Sequence, residues 1–347
     1  MKRDGQGVLI MAGGTGGHIF PGLAVADCLR RKDVPVRWLG AEGGMEATTI
    51  PAAGIDLDLV AISGLRGKGL KRWVRMPFML LRAVWQARRL LGANRPACAV
   101  SFGGYAAAPG GIAAWTRGIP VLVHEQNRIP GMTNRLLSRF SRKILQGFPG
   151  TFPAEMSAID SGNPVRADVA ALPGPQTRLA DRAGPIRVLV TGGSQGAQVL
   201  NLVVPQALKL LPGAIEFEVR HQAGARRVDE AKGAYSEAGV DADVQPFIGD
   251  MAEAYAWADL VICRSGALTV AELAAAGVAS VLVPFAFAVD DHQTRNAEYL
   301  ADANAAIILN QATFEPEVLA TSLEPLLSDR AVLMSMAVAA RKQALPD

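Results

Sequence analysis

The chain has 347 residues, a length that favours two domains over a single core. Half of the residues are hydrophobic and only 19% are charged, which excludes a disordered chain. Three widely separated cysteines predict neither a disulfide framework nor a metal site, so we expect a reduced, cytoplasmic compartment. We expect no signal peptide, because Asp4 and a Gly-rich turn lie where its unbroken apolar stretch would be. We expect no transmembrane helix, because no apolar run approaches the roughly 18 residues that a membrane span needs.

The net charge of +3 hides an uneven distribution. Between Asp58 and Glu125 there is no carboxylate, whereas ten basic side chains lie in that stretch. The first half of the chain is therefore cationic, which indicates an anionic partner. Nucleic acid, a phosphorylated substrate and anionic lipid are the three classes to consider.

Short runs of Val, Ile and Leu predict six strands in each half of the chain. In chain order they cover residues 8–12, 36–40, 57–62, 97–102, 121–125, 143–147, 187–191, 216–221, 242–247, 259–264, 280–283 and 306–309. Nearly continuous apolar strands separated by helices are typical of parallel sheets covered on both faces. Segment 148–185 is rich in Pro and Gly and is predicted to link two α/β domains, 1–162 and 163–347.

The two halves repeat one local plan. Residues 8–17 and 188–197 each read as a strand, a glycine turn and the start of a helix. Both resemble the first turn of a dinucleotide-binding βαβ unit, although neither is a strict GxGxxG. Together they predict a pair of Rossmann-like domains that face a cleft.

Three segments of the second half carry candidate binding chemistry. Gly192, Gly193, Ser194 and Gly196 precede a helix predicted over 196–211, whose first amides could hold a diphosphate. A plain tight turn with Ser194 as N-cap is the alternative.

The other two segments are 264–272 and 290–296. The carboxylate of Glu272 could accept hydrogen bonds from ribose hydroxyls, or it could merely complement a helix dipole. Gln293 and Asn296 could read sugar hydroxyls. His292 and the two preceding aspartates could suggest a metal, but no second cluster of ligands supports one.

Taken together, the motifs resemble one family. Seven short motifs occur in a single order, at residues 13–18, 102–105, 124–127, 162–166, 192–194, 264–272 and 290–296. The chain resembles, over nearly its whole length, the MurG family of bacterial UDP-N-acetylglucosamine transferases of peptidoglycan synthesis. The resemblance implies an α/β fold of GT-B architecture, with two Rossmann-like domains whose parallel sheets face a deep cleft. It also implies a further helix beyond Asp347 that crosses back onto the first domain.

The implied activity is that of an inverting hexosyltransferase with no metal and no cofactor. It would move GlcNAc from UDP-GlcNAc to the C4 hydroxyl of MurNAc in lipid I, which is undecaprenyl-pyrophosphoryl-MurNAc-pentapeptide, and so form lipid II. The implied role is in cell wall biogenesis and hence in cell shape, cell division and the cell cycle.

The resemblance also implies roles for individual residues. Domain 163–347 would bind UDP-GlcNAc, with Glu272 at the ribose, Ser194 at the pyrophosphate and the backbone of Ile248 at the uracil. Further donor contacts are implied for Thr15, Gly16, Gly17, Asn127, Arg166, Ala267, Leu268, Thr269, Val270, Ala271 and Gln293. Domain 1–162 would take lipid I and approach the membrane, with acceptor contacts at Gly13, Gly14, Gly103, Gly104 and Tyr105.

The reaction needs stabilisation of the leaving UDP and a base for the attacking hydroxyl. Helix amides and dipoles at the glycine loops could do the first task. For the base there are three unranked candidates: His18 after the first glycine loop, and His124 and Glu125 at the end of a strand.

An amphipathic helix in the basic region is the candidate membrane contact. Val74, Phe78, Leu81 and Trp85 share one face of a helix that Pro77 is predicted to start. Trp115 matches an apolar position of the family. Basic neighbours without acids favour an interfacial face over a core-facing one. We therefore expect peripheral association with the cytoplasmic side of the inner membrane.

Two other function classes fit the same architecture. One is a UDP-GlcNAc epimerase, and the other is a non-catalytic protein that binds a nucleotide sugar. Nucleic acid is disfavoured as the partner, because the aromatic residues near the basic run lie on one helical face and are not interleaved for base stacking.

Overall fold

The computed structural model describes residues 7–62, 70–193, 196–286 and 291–345, with backbone alone for 70–76. The chain divides into two compact units, Met1–Pro164 and Val165–Asp347. Each unit is an α/β structure built around one sheet.

The first unit alternates strands and helices in chain order. Its elements are β1 (Val8–Ala12), α1 (Gly16–Arg30), β2 (Val36–Ala41), α2 (Glu46–Ala52), β3 (Asp56–Val60), α3 (Leu70–Ala93), β4 (Cys98–Gly103), α4 (Ala107–Thr116), β5 (Val121–Glu125), α5 (Met132–Leu137), β6 (Lys143–Gln146) and β7 (Ile159–Asp160). The sheet order is β3-β2-β1-β4-β5-β6-β7, and neighbouring strands run parallel.

The second unit follows the same plan. Its elements are α6 (Ala167–Ala170), α7 (Pro175–Arg178), β8 (Ile186–Thr191), α8 (Gln198–Lys209), β9 (Phe217–Gln222), α9 (Val228–Ala238), β10 (Asp243–Gln245), α10 (Met251–Trp257), β11 (Leu260–Cys263), α11 (Ala267–Ala276), β12 (Ala279–Leu282), α12 (His292–Ala301), β13 (Ala306–Ile308), α13 (Pro316–Ser328) and α14 (Arg330–Lys342). The sheet is again parallel, in the order β10-β9-β8-β11-β12-β13.

Both faces of each sheet are covered, which explains the unbroken apolar runs of the strands. In the first unit, Leu9 and Met11 of β1 pack in one core cluster, whereas Ile10 and Ala12 pack in another. A strand buried on both faces must be apolar at successive positions, since its side chains alternate between faces. The same holds for Leu260–Cys263 of β11, where all four residues are buried.

The strand order places a switch point in each sheet. In the first unit the chain runs outward through β2 and β3 and then returns to β4 beside β1. In the second unit β8 and β11 occupy the equivalent positions. Ligands of open α/β sheets bind outside the carboxyl ends of the strands at such points.

The predicted α/β fold with two Rossmann-like parallel sheets is confirmed, and each of the twelve predicted strands is present. The two-residue strand β7 was not predicted, because it is short and exposed and lies in a Pro/Gly-rich segment.

One local prediction was wrong, since Pro77 does not start α3, which begins at Leu70 and carries Pro77 inside it. Segment 148–185 contains the boundary between the two units, but it is not simply a linker. Its later part packs on the second unit, where Arg178 donates to Tyr255 O at 2.7 Å and Gly277 O at 2.6 Å, and Arg182 donates to Asp259 Oδ1 at 2.9 Å.

Candidate functional site

Two glycine loops meet at the switch point of the first unit. Gly13 and Gly14 follow β1, and Gly103 and Gly104 lie at the end of β4. Gly104 has φ +90°, and a Cβ there would lie 2.2 Å from the carbonyl oxygen of Gly13. A side chain is therefore excluded at Gly104, where the two loops touch. The four glycines predicted to contact the acceptor thus lie close together.

Helix α1 begins directly after the first loop and presents free amides. Thr15 is its N-cap, and the amides of His18 and Ile19 both donate to Thr15 O at 3.1 Å. The amides of Gly16 and Gly17 precede the helical hydrogen-bond ladder and have no acceptor within the helix. Such a helix start favours a phosphate group.

His18 is the half-buried candidate base in the first turn of α1. Its Nδ1 lies 3.2 Å from Oε1 of Gln126, which follows β5. Gly103 leaves room for the imidazole, since a Cβ there would lie 3.0 Å from His18 Cε1.

His124 is a buried candidate base whose two ring nitrogens both have partners. Its Nε2 lies 3.0 Å from Gly162 O, and its Nδ1 lies 3.0 Å from Gln126 Nε2. Burial lowers the pKa of His124, partly offset by its hydrogen bond to Gly162 and by the nearby charge of Glu125. A neutral, fully hydrogen-bonded ring is suited to support rather than to proton abstraction.

Glu125 is also buried, and both carboxylate oxygens are in use. Oε1 accepts from the backbone and side-chain amides of Asn127 at 3.0 and 3.2 Å. Oε2 accepts from Gly131 N at 3.1 Å and Asn134 Nδ2 at 2.9 Å. Glu125 therefore fixes the loop that carries Asn127. Tyr105, the predicted acceptor contact beside the second glycine loop, is exposed.

A buried carboxylate beneath the first glycine loop was missed in the sequence. Glu46 of α2 accepts from Gly14 N at 3.0 Å and from Ala41 N at 2.9 Å. A Cβ on Gly13 would lie 2.2 Å from Glu46 Oε1. The loop conformation therefore depends on a side chain 32 residues away.

The glycine loop of the second unit is equally constrained. A Cβ on Gly192 would lie 2.2 Å from Ala197 N, and one on Gly196 would lie 2.0 Å from Ala223 O. Ser194 lies outside the described residues. Helix α8 begins at Gln198 with Ala197 as its N-cap, so the predicted start at 196 and the Ser194 N-cap were both wrong.

Helix α11 supplies the second set of free amides. Its N-cap is Gly266, and the first amide of the ladder is that of Val270, which donates to Gly266 O at 3.0 Å. The amides of Ala267, Leu268 and Thr269 therefore have no acceptor within the helix. Val270 itself faces the core, so it supports the loop instead of facing a ligand. Ala271 is half-buried in the following turn.

Glu272 lies one turn further along α11 and is held by two side chains. Its Oε1 lies 3.2 Å from Arg166 Nε, and its Oε2 accepts from Tyr255 OH at 3.1 Å. Burial, reinforced by the Glu272 carboxylate, raises the pKa of Tyr255 well above its usual value, so Tyr255 remains a donor. The carboxylate is thus oriented before any ligand arrives.

Two more predicted donor residues follow strands that are not adjacent in the sheet of the second unit, β10 and β12. The amide of Ile248, after β10, already donates to Gln222 Oε1 at 2.9 Å. Oε1 of Gln293, on α12, accepts from Phe285 N at 2.9 Å. Among the described residues, no group of three or more His, Cys, Asp or Glu could hold a metal ion.

The predicted membrane face of α3 is exposed. Phe78, Leu81 and Trp85 are 74%, 66% and 58% exposed, and Trp115 of α4 is 54% exposed. A different face of α3 packs in the core through Ala83, Ala87 and Leu91. The core-facing alternative is therefore excluded for these aromatic and aliphatic side chains, and the side chain of Val74 lies outside the described part of the structure. No described helix is long and apolar enough to cross a membrane.

The fold and its loops define a class: two Rossmann-like units, each with a parallel sheet and with glycine loops and helix starts at its switch point, as in nucleotide-sugar transferases of GT-B architecture. Residues 8–146 match the glycosyltransferase family 28 N-terminal domain, and residues 187–347 match the glycosyltransferase family 28 C-terminal domain.

Known proteins narrow the class further. The chain is 60% identical to a UDP-N-acetylglucosamine–N-acetylmuramyl-(pentapeptide) pyrophosphoryl-undecaprenol N-acetylglucosamine transferase of Xanthomonas axonopodis pv. citri, over 98% of this chain and 79% of that protein. A protein of the same name from Marinobacter nauticus is 54% identical over 98% of this chain and 93% of its own. The crystal structure of Acinetobacter baumannii MurG matches with a TM-score of 0.86 and 42% identity, covering 98% of this chain and 95% of that one. The chain belongs to glycosyltransferase family 28 and, within it, to the MurG family of N-acetylglucosamine transferases.

The epimerase alternative is a likeness of fold alone. The UDP-GlcNAc 2-epimerase of Neisseria meningitidis matches with a TM-score of 0.64 but only 12% identity, over 98% of this chain and 96% of that one.

Proposed function

We propose that the chain transfers GlcNAc from UDP-GlcNAc to the C4 hydroxyl of MurNAc in lipid I and so forms lipid II. The observation that carries the proposal is the 60% identity, over 98% of the chain, to the Xanthomonas axonopodis protein whose name describes this transfer. The reaction contributes to cell wall biogenesis and thereby to cell shape and division.

The second unit, in this proposal, holds the donor. Glu272 accepts from the ribose hydroxyls, and the amides of Ala267 to Thr269 bind the diphosphate. Support comes from the orientation of the Glu272 carboxylate by Tyr255 and from the free first turn of α11. Amides fixed in this way stabilise charge that develops on the leaving UDP. The backbone of Ile248 contacts the uracil, and Gln293 contacts the sugar through the amide nitrogen that Phe285 does not use.

The first unit, in this proposal, takes the acceptor at its paired glycine loops, with His18 as the general base. His18 is favoured over the other two candidates because it is half-buried in the first turn of α1, whereas His124 and Glu125 are buried and hydrogen-bonded throughout. Its Nε2 would take the hydroxyl proton as the oxygen forms a bond to the anomeric carbon. The bond to the UDP oxygen breaks at the same time, and UDP leaves with that electron pair.

The activity test uses UDP-GlcNAc labelled in the sugar and a short-chain lipid I analogue. Label in the lipid product supports transfer. Release of free ManNAc would indicate epimerisation, and binding without turnover would indicate a binding protein, so either result contradicts the proposal.

We also propose that the exposed face of α3 and α4 docks on the cytoplasmic side of the inner membrane, where the lipid tail of the acceptor resides. Support comes from the exposure of Phe78, Leu81, Trp85 and Trp115. It also comes from the arginines of α3 beside them whose side chains are described, Arg82, Arg88 and Arg89. Arg89 lies 4.8 Å from the Trp85 ring. Each basic residue near an anionic surface contributes about 1 kcal/mol, so several suffice for reversible binding.

Vesicle co-sedimentation tests the docking face. A Phe78→Ser, Trp85→Ser variant should bind anionic vesicles less than the wild type, and salt should weaken wild-type binding. The matched control is Leu202→Ser, Leu210→Ser, which removes two exposed apolar side chains of α8 and its C-cap in the second unit. Equal sedimentation of both variants, or equal binding to neutral and anionic vesicles, would refute the docking role.

A further inference from the structure

A chain of hydrogen bonds runs from the backbone to the candidate base in the first unit. It begins at Gly162 O, passes through the imidazole of His124 and the amide of Gln126, and ends at Nδ1 of His18. The successive distances are 3.0, 3.0 and 3.2 Å. Gln126 and His124 are buried, whereas His18 is half-buried.

Backbone carbonyls fix the direction of every bond in this chain. Nε2 of Gln126 donates to His124 O at 2.9 Å, and a carbonyl oxygen only accepts, so the amide nitrogen must point that way. Oε1 of Gln126 then faces His18. At the other end Gly162 O also only accepts, so Nε2 of His124 carries the hydrogen and its Nδ1 accepts from Gln126.

The tautomer of neutral His18 follows from this direction. Because Oε1 of Gln126 accepts, Nδ1 of His18 must donate, and its Nε2 is left with the lone pair. We infer that Gln126 is a positioning residue that holds His18 in the Nδ1–H tautomer, with Nε2 as the atom that takes the proton of the acceptor hydroxyl. This inference rests on the proposed role of His18 as the base.

The surroundings keep the chain of hydrogen bonds neutral and rigid. Burial lowers the pKa of His124, which therefore remains uncharged near neutral pH. Asn163 Nδ2 donates to Gln126 O at 3.0 Å and fixes the backbone of Gln126. Helix α1 packs against β1, β2 and β4, on which the titratable or charged residues are Arg37 and Cys98, and the nearby carboxylates of Glu46 and Glu125 are held by the hydrogen bonds described above.

Nuclear magnetic resonance of 15N-labelled histidine tests the tautomer without any substrate. The chain has four histidines, and a His18→Ala variant identifies the signals of His18. We expect neutral His18 to be protonated at Nδ1 in the wild type and to become a mixture of tautomers in Gln126→Leu. Protonation of wild-type His18 at Nε2, or an unchanged tautomer in Gln126→Leu, would overturn the inference.

Kinetics separate positioning from a structural role. Gln126→Leu should lower kcat by about 10- to 100-fold with little change in the KM for UDP-GlcNAc. Gln126→Glu keeps an acceptor for Nδ1 of His18 but loses the donor to His124, so kcat should recover only in part. Its carboxylate should move the acidic limb of the pH–rate profile to higher pH by stabilising the imidazolium.

The matched control is Gln146→Leu, a buried glutamine on β6 that accepts from Phe152 N at 3.0 Å. It should leave the position of the acidic limb unchanged. An unmoved limb in Gln126→Glu would overturn the inference, whereas absence of transfer by the wild type would refute the proposed function itself.

Discussion

Replacement of Glu272 with alanine should weaken the binding of UDP and of UDP-GlcNAc by the same factor, because both ligands carry the ribose. In the structure the Glu272 side chain is 16% exposed and already has two partners, Arg166 at 3.2 Å and Tyr255 at 3.1 Å. An ionised carboxylate oxygen accepts more than one hydrogen bond, so a ribose hydroxyl can bind Oε1 beside Arg166 or in its place, and the bond from Tyr255 to Oε2 remains.

The magnitude follows from these contacts. A hydrogen bond to a charged group contributes about 1.5–3 kcal/mol net. Arg166 is 47% exposed, so its displacement costs only about 0–1 kcal/mol. We therefore expect the lower part of the range, about 1.5–2 kcal/mol, or roughly a 10- to 30-fold loss of affinity.

Calorimetric titration with UDP, UDP-GlcNAc and 2′-deoxy-UDP measures the effect. The deoxy ligand lacks one hydroxyl and should lose less affinity on mutation than UDP. Glu253→Ala is the control, because Glu253 also pairs with an arginine, Arg220 at 2.8 Å, and is not part of the proposed site. A folded Glu272→Ala variant with unchanged UDP affinity, or with a loss confined to UDP-GlcNAc, would refute the assignment of Glu272 to the ribose.

Three further predictions concern the base, the glycine loops and pH. His18→Ala should lower kcat by about 10²–10⁴-fold with little effect on the donor KM, and steady-state kinetics that show most of kcat retained would contradict its role as base. Gly104→Ala should lower the melting temperature more than Gly150→Ala does. Both residues have positive φ, but of the two only Gly104 has a backbone atom 2.2 Å from the new Cβ. Equal melting temperatures of the two variants would contradict this reasoning. Burial lowers the pKa of His221 to about 3, so as the pH falls the unfolded chain binds a proton at this histidine before the folded chain does. The free energy of unfolding should therefore fall as the pH drops from about 6.5 toward 3. A His221→Gln variant with the same pH dependence in chemical denaturation would contradict this.

The strands were predictable because a parallel strand covered on both faces is apolar at nearly every position, and this run of apolar residues is visible in the sequence. The glycine loops were predictable for a related reason, since the close approach of Gly104 to Gly13 O leaves no room for a side chain. The start of α3 was not predictable, because a proline is common in a first helical turn and Pro77 lies inside the helix instead.

Contacts between distant residues leave no such local pattern. Segment 165–185 has the composition of a linker, yet Arg178 and Arg182 fix it to the second unit through carbonyl oxygens and Asp259. Glu46 likewise reads as an ordinary first-turn acid of α2, and only the folded chain brings it beneath Gly14. Hydrogen bonds of this kind involve residue types that are common on any surface.

The three candidate bases could have been separated by a rule that applies to any sheet covered on both faces. Strand β5 is an interior strand, so its last residues, His124 and Glu125, are buried whichever face they point to. A polar residue in that position needs internal partners, and both have them. A residue in the first turn of the helix after a strand, such as His18, instead stands at the open carboxyl edge of the sheet, where ligands of such folds bind. Helix α11 follows β11 in the same way, so its first turn also lies at the carboxyl edge of a sheet. The amides of that turn are outside the helical hydrogen-bond ladder, whereas Val270, further along the helix, is buried.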